Sequence, residues 1–426
     1  MYMKKKVVIV GAGFAGIQLA RNLDESLFDV LIIDKLNHHQ FQPLFYQVAT
    51  SQIEPSSISF PIRFIFRKKK NLQVRLAEVQ NIHPDKNSID TSIGEFTYDY
   101  LVIAIGCTTN FFGNANLAEH AFTLKSTYEA IEIRNHILNV FENIVTATDQ
   151  ERAALMNLCI VGGGPTGVEL GGSFAEMKTN ILPNDYPGID FSRFNVYLID
   201  NSKLPLSNMS ESSSKWSKKY LIELGVNVKN ETLVKDYDGN SLTLASGEII
   251  PTKTVIWAAG VIANTINGLP EVALNKSRRL NVNRYNLVAG CNNIYALGDV
   301  CRMETPLYPN GHPQVANVAI NQAKLLAKNL KALERNKSLA EYEYKDLGSM
   351  ATIGTNKAVV DIGKIHLKGY FAWLIWMFLH LMLILSVKKK LIIFINWAWA
   401  YVTKNSSLRL ILKDPNDIKK TNKNVP

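Results

Sequence analysis

The chain has 426 residues with 47 Lys+Arg against 37 Asp+Glu, a formal net charge of +10, and is 47% hydrophobic and 20% charged. That much apolar material supports two or three domains of ~100–200 residues and excludes a disordered chain. The four cysteines, Cys107, Cys159, Cys291 and Cys301, form no C-x-x-C pair. This excludes a metal-ligand spacing and a redox dithiol motif and fits small core residues in a reducing compartment.

The N-terminus, MYMKKKVVIVGAGFAG, has the lysines and apolar run of a signal peptide, but Gly11, Gly13 and Gly16 break the run at once. A buried parallel strand over Lys6–Val10 that enters a glycine turn accounts for it better. Gly11-Ala12-Gly13-Phe14-Ala15-Gly16 is a G-x-G-x-x-G fingerprint, followed by the helical pattern Ile17–Leu23. Gly11 allows the tight turn, Gly13 lets backbone approach a pyrophosphate, and Gly16 lets the helix sit against the strand. The next strand, Val30–Ile33, ends in Asp34, which lies 34 − 11 = 23 positions after the first glycine. That is close to the ~20 expected of an acid that binds ribose hydroxyls. Further on, Arg67-Lys68-Lys69-Lys70 reads as a solvated turn.

A second strand, Leu158–Val161, runs into Gly162-Gly163-Gly164-Pro165-Thr166-Gly167 and a helix beginning Val168-Glu169-Leu170. The following strand, Phe194–Ile199, ends in Asp200, and an inserted polar loop over 184–193 explains the long spacing 200 − 162 = 38. A carboxylate at Asp200 accepts from the 2′-hydroxyl of NADH and repels the 2′-phosphate of NADPH, and Asn201 offers that phosphate no guanidinium. Two fingerprints imply two dinucleotides, FAD and NADH. Gly162, Gly163, Gly164, Thr166, Gly167 and Asp200 are the candidate NADH contacts.

From Asp361 to Pro426 there are eleven Lys/Arg and three acids, so 11 − 3 = 8 of the +10 sits in this stretch. It holds two apolar runs, Gly369–Val387 and Leu391–Val402, separated by Lys388-Lys389-Lys390. The first run is slightly short of the ~20 residues of a spanning helix and contains His380. Spanning and buried-core readings stand beside the favoured one, an interfacial anchor. In that reading Trp373, Trp376, Trp397, Trp399 and Tyr401 occupy the headgroup boundary and the lysines face anionic lipid.

Several segments together resemble the type II NADH:quinone oxidoreductases, from residue 1 to about 410. They are Asp34-Lys35; His38-His39-Gln40-Phe41-Gln42-Pro43-Leu44-Phe45-Tyr46-Gln47-Val48-Ala49-Thr50; Gly164-Pro165-Thr166-Gly167-Val168-Glu169; Trp257-Ala258-Ala259-Gly260-Val261; and Met350-Ala351-Thr352-Ile353-Gly354. Tyr98–Gly106 and Val255–Gly260 look like the A-x-G crossover strands of two-dinucleotide flavoprotein reductases, and Gly298-Asp299 matches their flavin-contacting Gly-Asp segment.

The resemblance implies an α/β fold of two Rossmann-like domains, the second inserted in the first: an FAD domain over 1–115 and 270–335, an NAD domain over 150–265, and a membrane-binding region over 340–426. It implies FAD contacts at Gly11, Ala12, Gly13, Phe14, Ala15, Gly16, Asp34, Lys35, Gln47, Val79, Asp299, Ala316, Asn317 and Lys368. Glu169 is placed where nicotinamide, flavin and quinone meet, to orient the nicotinamide or to move protons during quinone reduction, with its anionic form favoured by a first-turn position in its helix. Gln314, Asn317 and Asn321 form the quinone region, with asparagines where the family often has glutamines. The implied reaction passes hydride from NADH to FAD and two electrons on to a membrane quinone, menaquinone or ubiquinone, without proton pumping. The implied setting is a homodimeric peripheral protein on the cytoplasmic membrane face. A sulfide:quinone oxidoreductase and a ferredoxin- or rubredoxin-type reductase are the rival readings, disfavoured by the cysteine positions and the aromatic-basic tail respectively.

Overall fold

The computed structural model describes residues 3–275, 277–406 and 408–412. Of the basic tail, Lys413, Asp414, Asp417, Lys419, Lys420 and Lys423 lie outside the described residues. Seven helices carry the argument: α1 (Phe14–Asn22), α2 (Phe45–Ala49), α3 (Thr127–Thr146), α4 (Pro165–Asn180), α5 (Ala316–Leu333), α6 (Gly369–Leu383) and α7 (Val387–Thr403). The chain forms two compact units. Unit 1 takes residues 1–40, 59–108 and 261–347, and unit 2 takes 41–58, 109–260 and 348–426.

Unit 1 is built on a five-stranded parallel sheet in the spatial order Ile294–Ala296, Tyr100–Ile103, Lys5–Val10, Phe28–Asp34, Leu72–Leu76. Its central strands are continuous apolar runs because helices cover both faces of such a sheet. Val8, Val10, Leu31, Ile33, Leu101 and Ile103 form one side of the core. Helix α1 packs on α5. Residues 67–70 form the expected turn with Arg67, Lys68 and Lys70 exposed, but Lys69 turns back and donates to the carbonyls of Ala20 at 3.0 Å and Leu23 at 3.2 Å. That one departure has a simple cause. The last carbonyls of a helix have no partner within it, and a nearby ammonium satisfies them.

Unit 2 repeats the plan with four parallel strands, Val226–Lys229, Asn195–Ile199, Asn157–Val161 and Thr254–Trp257. In both sheets the first strand of the fold lies centrally, with the second strand on one side and a later one on the other. The residues expected as a polar loop over 184–193 include a short helix at Leu182–Asp185 and a 3₁₀ turn at Phe191–Arg193. Unit 2 also holds the antiparallel sheet Ser349–Thr352, Ala358–Ile362, Ile365–Lys368, on which α6 packs.

Helices α6 and α7 have 15 and 17 residues. At 1.5 Å per residue they fall short of the ~30 Å bilayer core. Among the described residues no helix is long and apolar enough to cross a membrane. Two of the aromatics expected at a headgroup boundary turn inward instead, because Trp376 is 1% and Trp397 is 9% exposed. Trp373 is half-buried, while Trp399 and Tyr401 are exposed. The lysine cluster is also partly engaged. Lys389 donates to the Ser56 carbonyl and Lys390 to that of Met382, while Lys388 is exposed.

Candidate functional site

In unit 1 the first fingerprint forms the predicted turn. Gly11 has φ +102°, and a Cβ there would lie 2.4 Å from the Ala104 carbonyl oxygen. A Cβ on Gly16 would lie 1.9 Å from the Gly11 oxygen, which fixes glycine where α1 meets the strand. Gly13 differs: nothing lies within 4 Å of its virtual Cβ, and it caps α1 with no side-chain hydrogen bond. An open approach to an uncapped helix N-terminus is the cradle a pyrophosphate needs. Asp34 closes the turn, with Oδ2 accepting the Ala12 N–H at 2.6 Å and Oδ1 the Leu36 N–H at 2.7 Å. Burial raises its pKa, and the two backbone N–H groups oppose that shift.

His39 supports the same turn. It is buried, its ring Nδ1 lies 2.9 Å from the Ala12 carbonyl, and its ring meets Phe14 edge-on at 5.3 Å. Burial lowers its pKa to about 4, so it is neutral near pH 7. Ala15 and Gly16 are buried in α1. Lys35 pairs with Glu78 at 2.5 Å, and Val79 opens the strand Val79–His83.

Asp299 lies in the 3₁₀ turn Gly298–Val300. Its Oδ2 accepts from the Cys107 thiol at 3.1 Å, and its carbonyl accepts from Gln314 Nε2 at 3.0 Å. Ala316 and Asn317 open α5, whose N-terminus has no side-chain cap, and Asn321 lies one turn on. The sequence reading missed Gln322. Its Oε1 accepts the Gly298 N–H at 2.8 Å, and its buried Nε2 has no partner. A buried orphan donor, an uncapped helix end and the Gly13 cradle in one unit fit FAD.

In unit 2 the second fingerprint follows the same geometry. Gly162 has φ +116°, a Cβ on Gly167 would lie 1.9 Å from the Gly162 oxygen, and Gly164 has nothing within 4 Å. Pro165 occupies the first turn of α4, where its missing N–H costs nothing, and Thr166 follows it. Asp200 Oδ2 accepts the Gly163 N–H at 2.6 Å and Oδ1 the Ser202 N–H at 2.7 Å. This turn fits a second dinucleotide.

Glu169 stands five positions into α4, in its second turn and not its first. It is 8% exposed, and burial raises its pKa from the ordinary 4.5 to about 8. The Thr352 backbone N–H and the Trp376 indole oppose that shift without cancelling it. The expected anion is therefore corrected: near neutral pH this carboxyl holds its proton. Desolvation outweighs a helix-end field that fades within one turn.

Trp376 is held from three sides. His380 stacks on it at 4.1 Å between centroids, with Trp397 at 5.9 Å and Tyr46 at 6.4 Å. Its buried indole N–H completes no well-aligned hydrogen bond. Burial lowers the His380 pKa to about 4, so its ring is neutral. Gln47 is buried beside them, donating to Tyr46 Oη at 3.0 Å and accepting from Trp397 Nε1 at 2.8 Å. Lys368 Nζ sits 3.3 Å over the Trp216 ring.

Tyr46, Gln47, Ser173, Glu176, Thr352, Trp376 and Trp397 contribute to the walls of a cavity of ≈ 530 Å³. Gln314, Asn317 and Asn321, the residues expected near a quinone, belong to unit 1 and are not among its walls. Cys159 and Cys301 are buried, and their thiols are pushed up to about 12 by that burial. Among the described residues no His/Cys/Asp/Glu group could hold a metal.

Comparison with known proteins matches these features. The pyridine nucleotide-disulphide oxidoreductase family profile covers residues 5–323, and the NDH2 C-terminal domain profile covers 347–406. The type II NADH:quinone oxidoreductase Ndh of Mycobacterium tuberculosis is 34% identical over 416 residues, spanning 94% of this chain and 89% of the relative. The chain belongs to the type II NADH:quinone oxidoreductases. Within that family the fold is shared with NDH2 of Plasmodium falciparum solved with NADH, at TM-score 0.89 and 23% identity over 96% of this chain and all of that one. The sulfide:quinone oxidoreductase of Aquifex aeolicus has a similar fold at TM-score 0.72 and 19% identity. The chain is thus an FAD-containing oxidoreductase that uses NADH, and its two fingerprints supply a turn for each dinucleotide.

Proposed function

We propose that this enzyme oxidises NADH and reduces a membrane quinone by two electrons without pumping protons, and that unit 1 carries FAD while unit 2 carries NADH. Bound FAD supplies a carrier that takes a hydride equivalent from nicotinamide and yields two electrons to quinone. The chain's own residues position, desolvate and manage protons. Gly11–Gly16 and Asp34 would hold the FAD pyrophosphate and ribose, with Lys35, Val79, Asp299, Ala316 and Asn317 of the same unit as its further contacts. Gly162, Gly163, Gly164, Thr166, Gly167 and Asp200 hold NADH. Gln314, Asn317 and Asn321 supply amides toward the quinone.

The observation that carries the mechanism is the burial of the Glu169 carboxyl, which raises its pKa to about 8 and favours the protonated form near neutral pH. A neutral acid can give its proton to a quinone oxygen and be recharged, which an already ionised one cannot. Replacing it by Gln keeps the shape and removes the proton. Flavin reoxidation by quinone should slow by about a hundredfold, while NADH still bleaches the flavin.

Membrane contact is supported by the outward faces of α6 and α7. Phe371, Phe378, Leu391, Phe394, Trp399 and Val402 are all exposed. An apolar patch of this kind on helices too short to span suits a helix pair lying in the interface. The cytoplasmic face, anionic lipid near Lys388 and a homodimer complete the reading.

A further inference from the structure

The acid that the mechanism uses is buried, so something must return its proton. The net reaction, NADH + H⁺ + quinone → NAD⁺ + quinol, takes one proton from solvent in each turnover. Helix α4 carries a second carboxyl, Glu176, seven positions beyond Glu169. At 3.6 residues per turn, 169, 173, 176 and 180 share one face, and 169 and 176 are ~10 Å apart along the axis. Ser173, Glu176 and Asn180 all line the ≈ 530 Å³ cavity.

The outer part of that wall is open, with exposed Asn180, Thr355 and Asn356. The inner part is Ser173, Thr352, Tyr46 and Trp376, all buried, and Thr352 and Trp376 are the groups that act on Glu169. Glu176 stands between. Its Oε1 accepts the Thr355 N–H at 2.5 Å. Burial raises its pKa, against the Thr355 hydrogen bonds and the Lys357 charge. Tyr46, from α2, feels both carboxylates, Glu169 more strongly. The other charged groups on this cavity's side are Lys357, paired with Glu223 at 3.0 Å, and Lys404, at the cavity wall.

We propose that Glu176 is a proton-relay residue, and that the polar stripe Ser173–Glu176–Asn180 with its cavity is the route by which solvent protons reach Glu169. The inference rests on the proton-donor reading of Glu169. The cavity is large enough for several waters, and Ser173, Glu176, Asn180, Thr352 and Thr355 give it a polar side among otherwise largely apolar walls, which is what an ordered water chain requires. The Thr355 N–H holds Oε1 of a carboxyl that lies at the cavity wall, where it can exchange a proton along the stripe.

The test uses the full-length holoenzyme and the variant Glu176→Gln, which keeps an acceptor for Thr355. The first readout is infrared and needs no turnover. The carboxyl C=O band of protonated Glu169, assigned by its loss in Glu169→Gln, shifts when its proton exchanges with ²H₂O. Exchange is expected to slow about tenfold or more in Glu176→Gln. The second readout is flavin reoxidation after reduction by NADH. Reoxidation by a soluble quinone should slow about tenfold, most at high pH, while ferricyanide, which takes electrons without protons, reoxidises at the parental rate. Glu176→Asp should recover most of the loss, and Ser173→Val should reproduce it by interrupting the stripe.

Parental exchange and parental quinone rates in both Glu176→Gln and Ser173→Val would overturn the relay and leave Glu176 as a clamp on Thr355. If Glu169→Gln itself reoxidised normally with quinone, the donor reading would fall, and the relay with it.

Discussion

Asp200 Oδ2 accepts the Gly163 N–H at 2.6 Å, and the same carboxylate takes the Ser202 N–H on its other oxygen at 2.7 Å. A Cβ on Gly163 would lie only 3.0 Å from the Asp200 Cβ and carboxyl carbon. The acid is thus fixed before any nucleotide arrives, and each oxygen keeps a lone pair for a ribose hydroxyl. Asp200→Asn should raise KM for NADH and lower it for NADPH, narrowing their kcat/KM ratio about tenfold, or ~1.4 kcal/mol. An unchanged ratio would remove Asp200 from cofactor choice.

Two glycines of the first fingerprint should fail in different ways. Gly16→Ala places a methyl 1.9 Å from the Gly11 oxygen, so it should lower folding stability by about 2–3 kcal/mol. Gly13→Ala meets nothing within 4 Å in the protein. It should fold normally and be purified with little flavin if the proposed pyrophosphate cradle at Gly13 holds, because the methyl would fill that open approach. Thermal melting and the flavin-to-protein absorbance ratio separate the two effects.

Glu169 makes stability depend on pH in a definite direction. Its folded pKa of about 8 lies above the ordinary 4.5. The native state therefore binds this proton more tightly, and the associated stability is complete below the unfolded value and lost as pH rises through about 8. The ceiling on that loss is roughly 5 kcal/mol. Glu169→Gln should melt near the parent at pH 5 and above it at pH 9. A parallel pair of melting curves across that range would show that Glu169 is not desolvated.

The outward face of α6 and α7 gives a fourth prediction. Phe378 and Trp399 are exposed on it. Replacing both by Asp should release the protein from lipid vesicles in a sedimentation assay, since each buried aromatic is worth about 2 kcal/mol. Retention of the double variant on vesicles would move the contact elsewhere.

The two nucleotide turns were legible in the sequence because Gly11 and Gly16, and Gly162 and Gly167, answer local steric demands that only glycine meets. The strands beside them were legible because a sheet covered on both faces needs unbroken apolar runs. The state of Glu169 was not, since its position near a helix start is local while its burial under Trp376 and Thr352 is tertiary. Nor was the inward turn of Trp376 and Trp397. Helices α6 and α7 are apolar around much of their circumference, so no stripe marks the buried side. The placing of residues 41–58 in unit 2 depends on contacts such as Gln47 with Trp397, 350 positions apart, and Lys69 reached α1 by the same kind of long-range contact. Gln322 carried no motif of its own beside the asparagines that drew attention.

The central claim is electron transfer from NADH through the flavin to a quinone. The most direct measurement is anaerobic: one equivalent of NADH is added to the purified holoenzyme while the flavin absorbance is followed, and a soluble menaquinone or ubiquinone analogue is then added. Rapid bleaching by NADH, slow bleaching by NADPH and full recovery of the oxidised flavin on adding quinone are the predicted results. Bleaching that quinone fails to reverse would contradict the account.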